Sequence, residues 1–327
     1  MRFRTELSLP PSHSIHISHS DKIITIGSCF AELIGQKLSF FKFHTLNNPF
    51  GTIFNPLSVS KLLQQSLFGE KFPDNSYVYT RGLWFNYFTH SSLFAVEKKT
   101  LEDTIKKKSI EVRKILEKGD ILICTLGTSF IYKHLEKNIL VSNCHKTSQE
   151  AFTKILLSAK EITEDFISTF SAIHQSNPKL KIILSVSPVR HLKDTLILNS
   201  VSKSILRIVA YELEQTFPFV SYFPAYELIN DDLRDYRFYK EDLIHPTPFA
   251  ESYIWEKFSA CYFKEQTRQL NQRWSMLEKN IQHKPLQESS ADYKDFLKNT
   301  VQKLQDIATY LPVKKEIDEI NKKIHLL

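Results

Sequence analysis

Residues 23 to 33 read IITIGSCFAEL, and this stretch decides the fold. Its first half is an apolar run typical of a buried strand, and its second half is typical of the first turn of a helix. Gly27, Ser28 and Cys29 join the two halves, and both Ser28 and Cys29 carry side chains that can act as nucleophiles. The junction is therefore either a catalytic elbow or a tight turn built from small residues.

Further apolar runs along the chain are suited to buried strands. With the first one included, they are KIITIGS at 22–28, DILICTLGTSFIY at 120–132, KIILSVSPV at 181–189 and FVSYFPAYELI at 219–229. Segments with helical spacing accompany them at 57–68, 101–118, 148–175 and 194–216. In the last segment, the apolar positions near a 3.6-residue period are Leu196, Val201, Ile205, Ile208, Val209 and Leu213.

Apolar strands that alternate with helices predict an α/β fold with a mostly parallel sheet, covered by helices on both faces in three α/β/α layers. Functional groups in such folds gather at the carboxyl ends of the strands. After about residue 263 the sequence becomes polar and rich in Gln and Lys. We therefore expect a core domain at 1–263 and a helical extension at 264–327, which could dock on the core or make a homo-oligomer contact.

Composition and charge exclude several classes of protein. The chain has 43 Lys and Arg against 36 Asp and Glu, but these charges form no concentrated basic block in the core region, so we expect no nucleic-acid partner. The four cysteines form no CxxC pair, and no run approaches the roughly 18 apolar residues of a membrane span. The N-terminus also lacks an apolar stretch of signal-peptide length, and together these features favour a reducing cytoplasm.

A second informative stretch is YKEDLIHPTPFAESYIWEKF, in which Asp242 and His245 are separated by two residues. On one loop, the carboxylate can hold the imidazole through Nδ1 while Nε2 faces a nucleophile supplied elsewhere. A D-x-x-H string alone is weak, because it is common by chance. The same chain also has an elbow of small residues after its first predicted strand. The two features together favour a catalytic role for Asp242 and His245 more strongly than the string alone.

The order of these motifs resembles the SGNH (GDSL-type) hydrolase superfamily. The string GSCFA at 27–31 is similar to the signature of the GSCFA family, a bacterial branch of that superfamily. The other matching strings are NNPFGTIFNP at 47–56, TLGTSFIY at 125–132, NCHK at 143–146, SVSPVRH at 185–191 and DLIHPT at 242–247. Together they span roughly residues 20 to 260.

The resemblance implies a catalytic triad of Ser28, Asp242 and His245, with Cys29 as a buried structural thiol that points away from the site. It implies an oxyanion hole made by the N–H groups of Ser28 and Gly51, together with a group from Asn143 or from the 127–129 loop. In that loop, the superfamily's Gly-x-Asn element corresponds to Gly127, Thr128 and Ser129. His90 and His145 are possible competing bases.

The resulting expectation is a serine esterase that acts on a small or carbohydrate-linked acyl ester. Two alternatives remain open: an acyltransferase that uses the same triad, and a non-catalytic binding module on the same fold. No metal or nucleotide motif of the types G-x-G-x-x-G, G-x-x-x-x-G-K-[ST] or H-E-x-x-H occurs in the sequence, so we expect no metal and no cofactor.

Overall fold

The structure is a computed structural model that describes residues 4–287 and 289–327. In chain order, the strands are β1 (Lys22–Gly27), β2 (His44–Asn47), β3 (Tyr77–Thr80), β4 (Leu83–Asn86), β5 (Ile121–Leu126), β6 (Phe130–His134), β7 (Ile139–Val141), β8 (Phe152–Leu156), β9 (Lys181–Val186) and β10 (Val220–Phe223). The helices are α1 (Cys29–Phe40), α2 (Pro56–Phe68), α3 (Lys98–Lys118), α4 (Ala159–Ser176), α5 (Thr195–Thr216), α6 (Ala225–Glu227), α7 (Pro248–Tyr262), α8 (Glu265–Ile281), α9 (Ala291–Gln305) and α10 (Lys314–Leu326).

The centre of the fold is a five-stranded sheet with the order β10-β9-β5-β1-β2, in which every neighbouring pair is parallel. Alternate residues of one strand serve opposite faces. Ile23 packs in a core with α1 and α7, whereas Ile24 and Ile26 pack in a core with α2, α3, α4 and α5. The predicted α/β/α fold with a mostly parallel sheet is therefore confirmed, because apolar side chains on both faces of a strand require cover on both faces.

Two smaller antiparallel sheets depart from the predicted pattern. Strands β3 and β4 form a hairpin, and β7, β6 and β8 form a three-stranded sheet. The run at 120–132 is thus divided between β5 and β6. The prediction of one helix over 148–175 is wrong in its first part, where β8 pairs with β6. The helix starts at Ala159 because Ser158 and Glu161 form a reciprocal capping box there.

Helix α5 confirms the predicted segment at 194–216, but the predicted apolar face is only partly the buried one. Leu196, Val201 and Ile208 are exposed. The buried side of the helix consists of Asn199, Ser202, Lys203, Leu206, Val209, Ala210 and Leu213. Apolar spacing alone misplaced the face because polar residues occupy its first turns, where α5 lies against the carboxyl ends of the strands.

The three C-terminal helices α8, α9 and α10 have a core of their own, built around Trp274, Leu297 and Leu304. They also contact the rest of the chain. Lys42 forms an ion pair with Glu316 and lies over the ring of Trp274, and His19 Nε2 is 3.0 Å from Asn271 Oδ1. Within the described ranges, no helix combines the length and apolarity that a membrane crossing requires.

The end of β1 approaches β5 more closely than a side chain would allow. Gly27 has a φ of +128°, and a Cβ on it would lie 2.1 Å from the carbonyl oxygen of Thr125. Only glycine has no Cβ to collide there and can adopt this φ without strain. The glycine before Ser28 is therefore a structural requirement of the parallel pair.

We expect Gly27→Ala to lower the free energy of unfolding by more than about 3 kcal/mol, because steric overlap adds to backbone strain. Urea denaturation of the purified variant measures this loss. Gly82→Ala is the matched control, since Gly82 has a φ of +82° but a Cβ there meets no atom of the described residues within 4 Å. Its expected cost is about 1 kcal/mol. Equal losses in the two variants would show that overlap with Thr125 is unimportant.

Candidate active site

Ser28 follows β1 directly and caps helix α1. Its Oγ accepts a hydrogen bond from the N–H of Phe30 at 3.3 Å, and its own N–H donates to the carbonyl oxygen of Thr125 at 2.9 Å. The residue is only 1% exposed. Ser28 therefore fills the usual role of a serine at a helix N-terminus, and its hydroxyl is shielded from solvent.

Cys29 is the first residue of α1 and is partly exposed. As the first helical residue, its N–H has no acceptor within the helix. Burial raises the pKa of the Cys29 thiol, while the charge of Lys203 and the N–H groups of Cys29 and Phe30 oppose that rise. Its strongest charged neighbour is Lys203, whose ammonium lies at the carboxyl edge of the sheet, and the direction of the thiol relative to the site stays a prediction.

Lys203 is the residue of this site that sequence reasoning missed. It projects from α5, is 1% exposed, and its Nζ donates to the carbonyl oxygens of Gly127 at 2.5 Å and Ser187 at 2.7 Å. These carbonyls follow β5 and β9. Burial lowers the pKa of Lys203 to about 7, and the Cys29 thiol acts in the opposite direction. No carboxylate pairs with Lys203 in the part of the chain that the structure describes.

A signal for Lys203 does exist in the sequence. Lys203, Leu206, Ala210 and Leu213 follow one another at intervals of three or four residues, which places the lysine on the apolar face of an amphipathic helix. A lysine in such a position is rare in a core unless it has polar partners.

Asp242 and His245 form the pair that their spacing predicts. Asp242 Oδ2 lies 2.7 Å from His245 Nδ1, and Oδ1 accepts the N–H groups of Ile244 and His245, each at 2.9 Å. The N–H and imidazole of His245 and the N–H of Ile244 hold the pKa of Asp242 well below its ordinary value. Because this pKa is lowered, the carboxylate stays ionised and keeps its contact with His245 as the pH falls below 4.

The loop that carries this pair leads directly into α7, which Thr247 caps and Pro248 begins. Both side chains of the pair are about half exposed, at 45% each. Across residues 4–287 and 289–327, His245 Nε2 makes no hydrogen bond, and none joins His245 to Ser28 or Cys29. The structure thus forms the carboxylate–imidazole pair and leaves its nucleophile side open.

The predicted oxyanion donors already have acceptors inside the protein. The Gly51 N–H donates to Asn48 O at 2.8 Å, as the Ser28 N–H does to Thr125 O. The N–H groups of Gly127 and Thr128 both donate to Phe54 O, the Ser129 N–H donates to Ser202 Oγ, and the Asn143 amide donates to Ser91 Oγ. An oxyanion at the backbone positions would have to displace an existing hydrogen bond, whereas the Asn143 amide keeps a second N–H donor. The N–H of Cys29, which no helical carbonyl accepts, is the better placed donor.

The part of the chain that builds the carboxyl edge of the central sheet also matches a known protein family. The family model described as "GSCFA family" matches residues 22–258, which include the elbow, the 127–129 loop, Lys203 and the Asp242–His245 pair. The chain belongs to the GSCFA family. A second family model, "GSCFA domain protein, C-terminal domain", matches residues 274–326, which fall within α8 to α10. A search of curated proteins finds no match.

The other candidate polar residues Asn55, His145 and His90 make local contacts within the fold. Asn55 caps α2 by accepting the Ser58 N–H at 2.8 Å. His145 is buried, its Nε2 lies 2.7 Å from Asn86 O, and burial lowers its pKa to about 4. His90 Nδ1 lies 3.0 Å from Ser92 Oγ. Of the two, His145 is the less suitable base because it is enclosed.

The structure also offers little to hold a metal in this GSCFA protein. Among the residues that the structure describes, no three His, Cys, Asp or Glu side chains converge as a metal site would require.

The buried amine of Lys203 predicts a pH dependence of stability. Its pKa is about 7 in the folded protein and about 10.4 in an unfolded chain, so between these values the unfolded state binds more protons. The free energy of unfolding should rise with pH there, by on the order of 1 kcal/mol per unit. In Lys203→Met that rise should be absent, as urea midpoints at pH 7.0 and 8.5 would show.

Lys203→Met also leaves the carbonyls of Gly127 and Ser187 without a donor, at a cost of about 1–3 kcal/mol each. That loss is the same at both pH values and does not affect the slope. Lys193→Met, which changes an exposed lysine, is the control. Its free energy of unfolding should change with pH as that of the parent protein does. A Lys203→Met curve parallel to the parent would contradict the lowered pKa.

Proposed function

We propose that the protein is an ester hydrolase of the SGNH type, in which His245 activates a nucleophile at the Ser28–Cys29 elbow. The contact of 2.7 Å between Asp242 and His245 carries this proposal, because it orients an imidazole whose other nitrogen is free. The nucleophile attacks the ester carbonyl, the alcohol leaves with the proton from His245, and water then releases the acyl group. A small or carbohydrate-linked acyl ester is the proposed substrate.

The superfamily resemblance supports Ser28 as the nucleophile, completing a triad with Asp242 and His245. For attack, the Ser28 hydroxyl would have to become accessible and turn from the Phe30 N–H toward His245. A helix N-terminus behind the attacking atom would favour the negative charge that develops there.

Two observations favour Cys29 as the nucleophile instead. Its side chain is partly exposed, whereas Ser28 is 1% exposed. Its N–H is free of helical bonds and so can serve the oxyanion. Burial still raises the pKa of this thiol, and the charge of Lys203 and the N–H groups at the start of α1 only reduce that rise, so a nucleophilic Cys29 depends on His245 to take its proton. Ser28 then acts as the helix cap that holds the thiol in place.

The two nucleophiles are separated by single substitutions. Because Cys29 is the more accessible side chain and has a free N–H, we expect Cys29→Ala to lower kcat/KM for 4-nitrophenyl acetate by at least about a thousandfold. Ser28→Ala should cost less, since it removes a cap worth about 1 kcal/mol. Folding is checked by thermal denaturation. If Ser28→Ala abolishes turnover while Cys29→Ala keeps it, the serine triad is the correct form of the proposal.

Asp242→Asn tests the imidazole pair separately from the elbow. The amide can still accept the N–H groups of Ile244 and His245, but it cannot stabilise an imidazolium as a carboxylate does. We expect kcat to fall by about a hundredfold or more with a small change in KM. His245→Ala should lower kcat by at least as much. The variant that combines Asp242→Asn with His245→Ala should lower kcat little further, because the two residues act as one unit. Additive losses would remove the pair from the mechanism.

A further inference from the structure

A cavity lies beside the loop that carries His245. It has a volume of about 300 Å³ and is formed between the segment after β9 and the segment after β10. Its charged and hydrogen-bonding side chains are Arg190, Asn230, Arg234, Asp235, Tyr236 and Tyr239. The proposed mechanism uses none of them.

Arg190 is held in this wall with most of its hydrogen-bonding capacity unused. Its guanidinium lies over the rings of Tyr239 and Tyr236, at 4.9 and 5.7 Å from their centroids, and donates to the Tyr239 hydroxyl at 3.3 Å. In the described ranges this is its one hydrogen bond, and no carboxylate pairs with it. A guanidinium has five N–H donors, so the group is oriented but not neutralised.

Arg234 adds a second positive charge. It is exposed, and within residues 4–287 and 289–327 it has neither an ion pair nor a side-chain hydrogen bond. The one carboxylate in the lining, Asp235, is already committed to Arg237, with 3.0 Å to Nε and 2.8 Å to the backbone N–H. The lining thus carries two unpaired guanidinium groups against one paired acid.

The surrounding acids do not change this balance. Glu227 pairs with Arg207, and Asp232 pairs with Arg4 and accepts the Tyr253 hydroxyl. Asp231 acts on Tyr226 and is exposed. The arginines therefore have no internal carboxylate that would compete strongly with a bound anion.

The cavity is joined to the Asp242–His245 loop through Tyr239. Tyr239 forms an antiparallel bridge with Pro246, and the Lys240 N–H donates to His245 O at 2.7 Å. Residues bridged in this way have Cα atoms about 5 Å apart. The cavity wall and the His245 loop are therefore neighbours, and a substrate that spans them would place its ester near His245 and its charged end in the cavity.

We propose that Arg190 and Arg234 bind a carboxylate or phosphate group carried by the ester substrate. This inference rests on the proposed function, and it assigns the substrate to the class of anionic esters. The planar fork of a guanidinium matches the oxygen pairs of both groups, and stacking on tyrosine rings leaves the edge of that fork available.

Calorimetric titration with inorganic phosphate and with succinate at low ionic strength tests the site without turnover. We expect millimolar or tighter binding of at least one probe by the parent, and the stronger one identifies the group. Arg190→Gln should weaken it at least tenfold and Arg234→Gln at least threefold. Arg113→Gln removes the same charge from an arginine that is paired with Glu117 on α3, outside the cavity, and should change the binding less than twofold.

Failure of the parent to bind either probe, or equal losses in all three variants, overturns the proposal. If Arg190→Gln does not fold, the test rests on anion binding by Arg234→Gln and by Arg190→Lys. Lysine keeps the positive charge but lacks the planar fork of a guanidinium, so Arg190→Lys should also bind the anion more weakly. Turnover provides a separate readout. The ratio of kcat/KM for mono-4-nitrophenyl succinate to that for 4-nitrophenyl acetate should fall about tenfold in Arg190→Gln, and an unchanged ratio contradicts a substrate role.

The two proposals fail differently. Anion binding with the expected variant pattern, in a protein that hydrolyses no ester, would remove the hydrolase proposal and leave an anion site. Ester hydrolysis without anion binding would remove the subsite and leave the hydrolase.

Discussion

The close approach of β1 to β5 at Gly27 is the constraint on which the candidate site depends. Because Gly27 has no side chain, the chain passes against the carbonyl of Thr125 and the Ser28 N–H bonds to it. The turn into α1 therefore begins at one defined position. Cys29 then becomes the first helical residue, where a free N–H and partial exposure coincide.

Lys203 ties this turn to the neighbouring strands. Its ammonium joins the carbonyls after β5 and β9 and acts electrostatically on the thiol after β1, so one buried side chain links three adjacent strand ends. A buried amine of this kind costs stability near neutral pH when it is charged. Perturbed pKa values cluster at functional sites, which makes Lys203 a candidate functional residue.

Several features could be predicted because they depend on residues close in sequence. The apolar strands that alternate with helices predicted the layered fold. The D-x-x-H spacing predicted the contact between Asp242 and His245, which a single loop can form. The strand β8 and the buried side of α5 could not be predicted in this way. In both cases the partner that decides the structure is remote in sequence: β6 for the strand, and the ends of β5 and β9 for Lys203.

By itself, the sequence determined the fold class, the elbow at 27–29 and the carboxylate–imidazole pair, because apolar periodicity, the glycine and a three-residue separation act locally. The packing of remote segments sets which donors of the predicted oxyanion hole are already bonded, brings Lys203 to the carbonyls after β5 and β9, and places Arg190 and Arg234 in one cavity without acids to neutralise them. These hydrogen bonds, the burial of the side chains and the pairing of charges mostly arise between groups that are far apart in the sequence. Their partners are set by how the strands and helices pack, and the order of residues along the chain does not contain that arrangement in any local pattern.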